Sequence, residues 1–276
     1  MAIGSVVNYG LPFSNVVASG TATNQITRGK TLNRFQLKLG GTLTKAMITR
    51  FKLKANGGVV IDATGTQIDK INAYRGANVT NASFLDIFFK DFSLNNEFDR
   101  GVGAFDTTMG IADLTTEVTI AGATAPVLTP ILFQTAAQKL KTGEAAPYAA
   151  LICKLLNYPY SVSTGGVLPI ALPFGAVRGS VIKRIHIFHT GQLTGVTMKQ
   201  DSTIFYESTK TENEFIQTSF GRVPQTNMYT IDFVVDGDIK NALDTRDAKS
   251  LELLCTFSGA DVGEVLVEYI DPLNNL

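Results

Sequence analysis

The chain has no tryptophan, only two histidines and only two cysteines in 276 residues. These shortages remove most enzyme chemistries at the outset. Nucleophilic catalysis needs a Ser, Thr or Cys beside a histidine base that a carboxylate orients. Neither His186 nor His189 stands in such a setting, and no G-x-S-x-G elbow occurs. The two histidines fall in or beside a strand, where alternation sends them to opposite faces, so they read as structural rather than as a shared metal site. Cys153 and Cys255 sit far apart among apolar neighbours, which suits buried free thiols better than zinc ligands or a disulfide-stapled scaffold. Phosphate cradles are missing as well: Gly101-Val102-Gly103 is a fragment of G-x-G-x-x-G without its third glycine and reads as a loop.

Charge is scarce too. Charged residues make up 17% of the chain, against about 25% in a typical globular protein. Lys+Arg and Asp+Glu both number 24, so the formal charge is zero. Nucleic-acid binding rests on clustered basic residues that neutralise phosphates. The densest basic stretch, Lys45 to Lys54, alternates with Met47, Phe51 and Leu53 and reads as a strand or short amphipathic stretch with one wet face, so direct nucleic-acid binding is not expected. No apolar run reaches the roughly 18 residues that span a bilayer. Residues 1–27 contain no Lys, Arg, Asp or Glu, so the basic start of a secretory signal is missing, and a soluble protein made without export is expected. A mean hydropathy of +0.13 with little charge suits a surface covered by neighbours, or a secreted β-sandwich rich in Thr and Asn.

What the chain does have is a second half that restates its first. Leu11-Pro12-Phe13 recurs as Leu172-Pro173-Phe174. Arg34-Phe35-Gln36-Leu37 with Gly41-Thr42-Leu43-Thr44 recurs as Arg184-Ile185-His186-Ile187 with Gly191-Gln192-Leu193-Thr194. Leu85-Asp86-Ile87-Phe88-Phe89 is followed in the second half by Ile231-Asp232-Phe233-Val234-Val235, and Glu117-Val118-Thr119-Ile120 by Glu264-Val265-Leu266-Val267. The spacing is too long for a solenoid and implies two copies of one β-domain. At this length single cores begin to split into two domains.

Short strands are expected at Phe35–Leu39, Ile48–Leu53, Val59–Ile61, Phe84–Phe89 and Glu117–Ile120, then at Val181–Phe188, Ser202–Tyr206, Thr230–Val235, Leu251–Phe257 and Glu264–Tyr269. Turn signals such as Asn56-Gly57-Gly58 and Arg75-Gly76 separate them, a pattern of sandwiches or barrels. Phe88, Phe233 and Val235 are expected in the core. The uncharged arm 1–27 is expected to pair as a strand from about Val6 onward, with Pro12 at an edge. The stretch Pro130 to Tyr158, rich in Ala, Leu, Lys and Gln, predicts two short helices that join the domains. The expected organisation is therefore all-β: a first sandwich over 1–128, a helical connector over 129–165 and a second sandwich over 166–276.

Carboxylates are the one remaining candidate for chemistry. Asp232, Asp236 and Asp238 fall close together around a turn-like Asp-Gly step. A glycosidase pair or a calcium ion could use such groups, although a solvated turn explains them better. No catalytic or cofactor-binding residue is assigned and the metal content is left open, structural calcium being the one cofactor considered.

At Tyr229–Asp238 and at Glu264–Tyr269 the chain resembles the double jelly-roll major capsid proteins of icosahedral, membrane-containing bacteriophages, in particular the corticovirus and finnlakevirus type. The likeness spans most of the chain as domain order and length, and is specific at residue level over about the last fifty residues. The resemblance implies two jelly rolls standing side by side and a homotrimer of pseudo-hexagonal outline. Such trimers contact neighbouring capsid trimers and tile a shell over an internal membrane. Penton and membrane-associated virion proteins are the further partners expected, without direct nucleic-acid contact. The protein is then made in the host cytoplasm and resides in the virion, with no enzyme activity. The competing reading is a tandem β-sandwich that binds or cleaves glycans, which the lack of tryptophan weakens.

Overall fold

Alternating apolar and polar residues put one face of each strand into a core. In Leu114–Ile120, for example, Leu114, Thr116, Val118 and Ile120 are buried while the residues between them are half-buried. A computed structural model of the chain describes residues 5–108, 110–138, 150–177 and 181–276. The first sandwich contains β1 (Val6–Tyr9), β2 (Gly20–Gln25), β3 (Thr31–Gly41), β4 (Ile48–Ala55), β5 (Gly58–Ala63), helix α1 (Gly65–Tyr74), β6 (Phe84–Phe88), the short helix α2 (Glu97–Gly101), β7 (Phe105–Asp106), β8 (Leu114–Ile120) and β9 (Pro126–Thr135). The second contains β10 (Leu151–Val162), β11 (Gly166–Ile170), β12 (Val181–Phe188), β13 (Leu193–Gln200), β14 (Thr203–Thr209), helix α3 (Lys210–Ser219), β15 (Met228–Asp232), β16 (Leu243–Asp244), β17 (Leu251–Phe257) and β18 (Asp261–Pro272).

Both halves follow one wiring. Strands β1-β9-β3-β6 face β2-β8-β4-β5 in the first, and β10-β18-β12-β15 face β11-β17-β13-β14 in the second. Each is a jelly roll, with its own core: Phe35, Phe51, Leu53 and Leu85 in the first, Ile185, Met198, Leu253 and Val267 in the second. The two halves share a sheet, because β5 pairs in parallel with β10 at Ile61 and Leu155 and so joins them into nine strands.

The duplication extends to irregularities. In β3 the register against β9 shifts between Leu32 and Arg34, and in β12 the register against β18 shifts between Ile182 and Arg184. The extra residues are Asn33 and Lys183, each of which accepts at its carbonyl a backbone hydrogen bond from just beyond the strand on its other side, from Phe89 after β6 and Phe233 after β15. Helices α1 and α3 both begin at a threonine with a full capping box, Thr64 with Gln67 and Thr209 with Glu212. Asn72 and Gln217 tie them to the Asp86 and Thr230 carbonyls. Gly76 and Gly221, at φ +86° and +73°, lie just past the helix ends, where a side chain would be strained.

Several expectations need correction. The helices expected over Pro130–Tyr158 are strands where the structure describes them, β9 and β10; residues 139–149 lie outside the described residues. Helix formers were overruled because each strand finds a partner, β1 and β3 for β9, β18 for β10. Of the four recurrences, the two carried by β3/β12 and β6/β15 are structurally equivalent. In the latter the register equates Leu85 with Tyr229, since these face Leu37 and Ile187. The other two are not: Glu117–Ile120 lies in β8 but Glu264–Val267 in β18, and Leu172-Pro173-Phe174 follows β11 whereas Leu11-Pro12-Phe13 follows β1. Short alternating strands look alike wherever they sit. Phe88, Phe233 and Val235 are only half-buried; Leu85, Ile87, Tyr229, Ile231 and Val234 fill the core instead, because Phe88 shares the outer face of β6 with its partner Arg34 and β15 ends at Asp232, where the chain turns. The arm does pair as expected, Val6–Tyr9 forming the edge strand beside β9; residues 1–4 lie outside the described residues. No described helix is long and apolar enough to cross a membrane.

Candidate functional site

Among the described residues, a dense cluster of buried polar side chains lies at the seam where the first jelly roll meets the outer face of the second. The bulge at Lys183 turns Lys183 and Arg184 toward the first jelly roll together, where simple alternation would separate them. Arg184 is fully buried and central. Its Nη1 lies 2.7 Å from Asp91 and 3.1 Å from Glu268, its Nε 2.9 Å from Asp232, and its Nη2 donates to Ser93 Oγ at 2.9 Å. Lys183 reaches Asp91 at 3.0 Å. The end of α1 completes the seam: Arg75 pairs with Glu268, and Tyr74 donates to Asp232 at 2.9 Å. Gln67 and Lys70 of α1 donate to Glu264 and to the Thr226 carbonyl.

Burial alone would neutralise these carboxyls, but the surrounding cations prevail. Burial raises the Asp91 and Glu268 carboxyls, yet Arg184 and Lys183 around Asp91, and Arg75 and Arg184 around Glu268, hold both well below the usual carboxylate range. For Arg184 burial works against the charge and is outweighed by Asp232, Asp91 and Glu268. His186 behaves differently: burial lowers its pKa despite the pull of Glu268. Its Nε2 lies 2.8 Å from Glu268 and its Nδ1 2.9 Å from Thr230 Oγ1. An ionised carboxylate only accepts, so the neutral ring donates from Nε2 and accepts from the Thr230 hydroxyl at Nδ1.

A narrow cavity borders the seam, lined by Ile68, Phe89, Asp91, Cys153, Lys183 and Glu268 among others. Its two carboxylates are held ionised and tied to cations, so neither can act as the general acid that glycoside cleavage needs. Burial raises the Cys153 thiol, and it pushes Cys255 up to about 12, so neither is a reactive thiolate at neutral pH. Both cysteines are free.

The three aspartates proposed around the Asp-Gly step are not brought together as ligands. Asp232 is committed to Arg184 and Tyr74. Asp236 accepts from Asn241 and from the Asp238 backbone, and Asp238 from the Lys240 backbone. Among the described residues no group of three or more His, Cys, Asp or Glu is placed to hold a metal. His189 lies beyond β12 and accepts from the Gly191 N–H. Sequence reasoning missed Arg75, Asp91, Lys183 and Glu268 as a cluster. Adjacent Lys183-Arg184 inside an apolar strand was the available signal, since strict alternation cannot place two neighbouring charges on one wet face.

Comparison with known proteins agrees with this architecture. Residues 8–138 match the model of the viral coat protein P2 N-terminal domain, and residues 152–273 match that of the viral coat protein P2 C-terminal domain. No curated protein sequence matches the chain. Among solved structures, the major capsid protein P2 from bacteriophage PM2 is 20% identical, with a TM-score of 0.83 over 97% of both chains. A chain of Sulfolobus turreted icosahedral virus is 13% identical, with a TM-score of 0.70 over 99% of this chain and 92% of that one. The PBCV-1 virus capsid gives 11% identity and a TM-score of 0.63, covering 98% and 94%. Both domains of one coat protein are therefore present in order and nearly end to end, and the chain belongs to the viral coat protein P2 family, as a double jelly-roll major capsid protein.

Proposed function

We propose that the chain acts as a homotrimer of pseudo-hexagonal outline that packs against neighbouring trimers in an icosahedral shell over an internal membrane. The observation that supports this most directly is the fixed seam. Two jelly rolls with the same wiring are locked side by side by a shared nine-stranded sheet and a buried ionic network, so one chain supplies two similar edges of a tile. Three chains then give six jelly rolls, and closed symmetric assemblies follow from repeated contacts. A net charge of zero suits a shell that does not itself hold the genome, and penton and membrane-associated virion proteins are the further partners of this reading. Synthesis in the host cytoplasm precedes assembly. No cofactor or turnover is required, and calcium is the one metal the reading admits, as a structural ion. Light scattering on the purified chain tests the reading: a three-chain mass is expected, and a stable monomer at capsid-forming concentrations overturns it.

A further inference from the structure

Helix α1 seals the seam inside one chain, and α3 is its counterpart on the second jelly roll. The two caps, the two ties to the neighbouring strand and the two terminal glycines set the correspondence, with Thr64, Asn72 and Gly76 matching Thr209, Gln217 and Gly221. In that alignment Lys70, Ile71 and Arg75 become Phe215, Ile216 and Phe220. The first three face the second jelly roll or lie buried: Lys70 bonds to Thr226, Ile71 is 3% exposed, and Arg75 pairs with Glu268. The second three are 74%, 45% and 53% exposed. An apolar helix face of this kind on a soluble protein marks a contact.

Its occupant is indicated by the other unmatched face. The outer β10-β18-β12-β15 face of the second jelly roll is covered by α1 of the first. The equivalent outer face of the first, β1-β9-β3-β6, has no described helix of its own chain upon it and exposes Val7 and Tyr9 at 58% and 71%. On that face Arg34 stands where Arg184 stands, because both follow the equivalent bulge. Phe133, paired with Arg34, stands where Glu268 stands, paired with Arg184. Arg34 stacks on the Phe133 ring at 3.5 Å and reaches Asp86 of β6 at 3.6 Å, so the position of Glu268 carries a ring and the carboxylate comes from the neighbouring strand. Where the internal seam sets Arg75 against Glu268, the corresponding positions therefore carry Phe220 and Phe133. The ion pair is replaced on both sides by an aromatic ring, a matched change across two surfaces that do not meet within one chain.

We propose that the Phe215, Ile216 and Phe220 face of α3 docks on the outer β1-β9-β3-β6 face of a second copy of this chain, centred on Phe133 and Arg34, and so repeats the internal seam between copies with an apolar contact. The contact is head-to-tail and closes into a ring after three copies when the two seams together turn the chain through about 120°. It rests on the trimer reading and assigns that trimer its interface. It also explains the different chemistry of the two seams. The internal seam forms once, on folding, and stays dry, whereas the contact between copies has each face in water before assembly, and docking aromatic faces avoids the cost of desolvating charged groups.

The test uses the full chain with Phe133→Glu, Phe220→Arg and the two combined, read by light scattering and by thermal melting. The wild type is expected at three-chain mass. Each single variant is expected to raise the dissociation constant at least tenfold and shift mass toward the single chain of 29.7 kDa, with unchanged melting of the monomer. The combined variant is expected to recover trimers, because it recreates the Arg75–Glu268 pair across the interface. If Phe133→Glu disturbs folding, Phe215→Asp, at an exposed helix position, supplies the second single change. Wild-type trimers with equally stable single-variant trimers overturn the interface and leave the trimer reading standing. A combined variant that stays dissociated while both single variants do overturns the pairing of the two faces, and a monomeric wild type overturns both readings.

Discussion

Arg184 shows how a single side chain can be costly to bury and still costly to lose. Three carboxylates and Ser93 surround its guanidinium, and Lys183 shares Asp91. Taking these charges out of water offsets most of what their attraction supplies, so the network adds little net stability over a well-packed apolar seam. Removing one member is different, because its partners are left charged and unpaired. Arg184→Ala is expected to destabilise the chain by about 3–5 kcal/mol, read as the shift in its denaturation midpoint; a loss within error of zero would mean that water replaces the guanidinium. His186 adds a pH dependence of defined sign. Burial holds its native pKa below the ordinary 6.5, so the unfolded chain takes up the proton first, and by linkage stability falls as pH drops below about 6.5. Carboxylates Asp91 and Glu268, with depressed native values, add their own loss only at lower pH, around and below about 4. His189 is also lowered, first by burial, so the wild-type curve contains both rings. His186→Gln installs the residue that occupies the matching position 36 and is expected to flatten melting temperature against pH between 7.5 and 5.5. Parallel curves for variant and wild type would remove His186 from the account.

At the scale of elements, legibility followed how locally each element is determined. β17 was readable end to end from its alternation and β12 from its Val and Ile content, signals that lie within the strand itself. α1 and α3 went unread, although Thr64-Gly65-Thr66-Gln67 and Thr209-Lys210-Thr211-Glu212 are both capping-box sequences of the kind that marks a helix start. They are short and weakly apolar, and only packing against β6 and β15 reveals their purpose. β9 and β10 were misread for the opposite reason. Their helix-forming residues made a local case that pairing over more than a hundred residues overruled, with Thr31 beside Thr135 and Leu151 beside Pro272. Propensity is a weak prior once a strand has two partners waiting. The same limit hid the functional seam. Asp91 and Arg184, or Arg75 and Glu268, meet only after both jelly rolls have formed, and nothing near either residue announces the other.

Duplicated domains usually invite the expectation that each half is a separate folding unit, and two features of the whole molecule argue against that. Strand β10 lies between β18 of its own jelly roll and β5 of the other, so the nine-stranded sheet has no free edge at the boundary. The outer face of the second jelly roll also carries buried Lys183, Arg184, His186 and Glu268; Asp91 and Arg75 of the first pair with Lys183, Arg184 and Glu268, and Tyr74 packs edge-on against His186. Separating the halves would expose an edge strand, which invites aggregation, and strip the ion network of Asp91 and Arg75. The first jelly roll loses less, because its own outer face is already built to stand in water until a neighbour arrives. The chain is therefore expected to unfold as one cooperative unit, with calorimetric and van't Hoff enthalpies agreeing, despite its two cores. Assembly should raise the melting temperature with protein concentration, since a partner that binds only the folded state stabilises it by mass action. Two resolved transitions in the monomer, with the second jelly roll surviving the first, would show that the seam is a contact between independent domains. The tile would then owe its rigidity to the surrounding lattice instead of to the single chain.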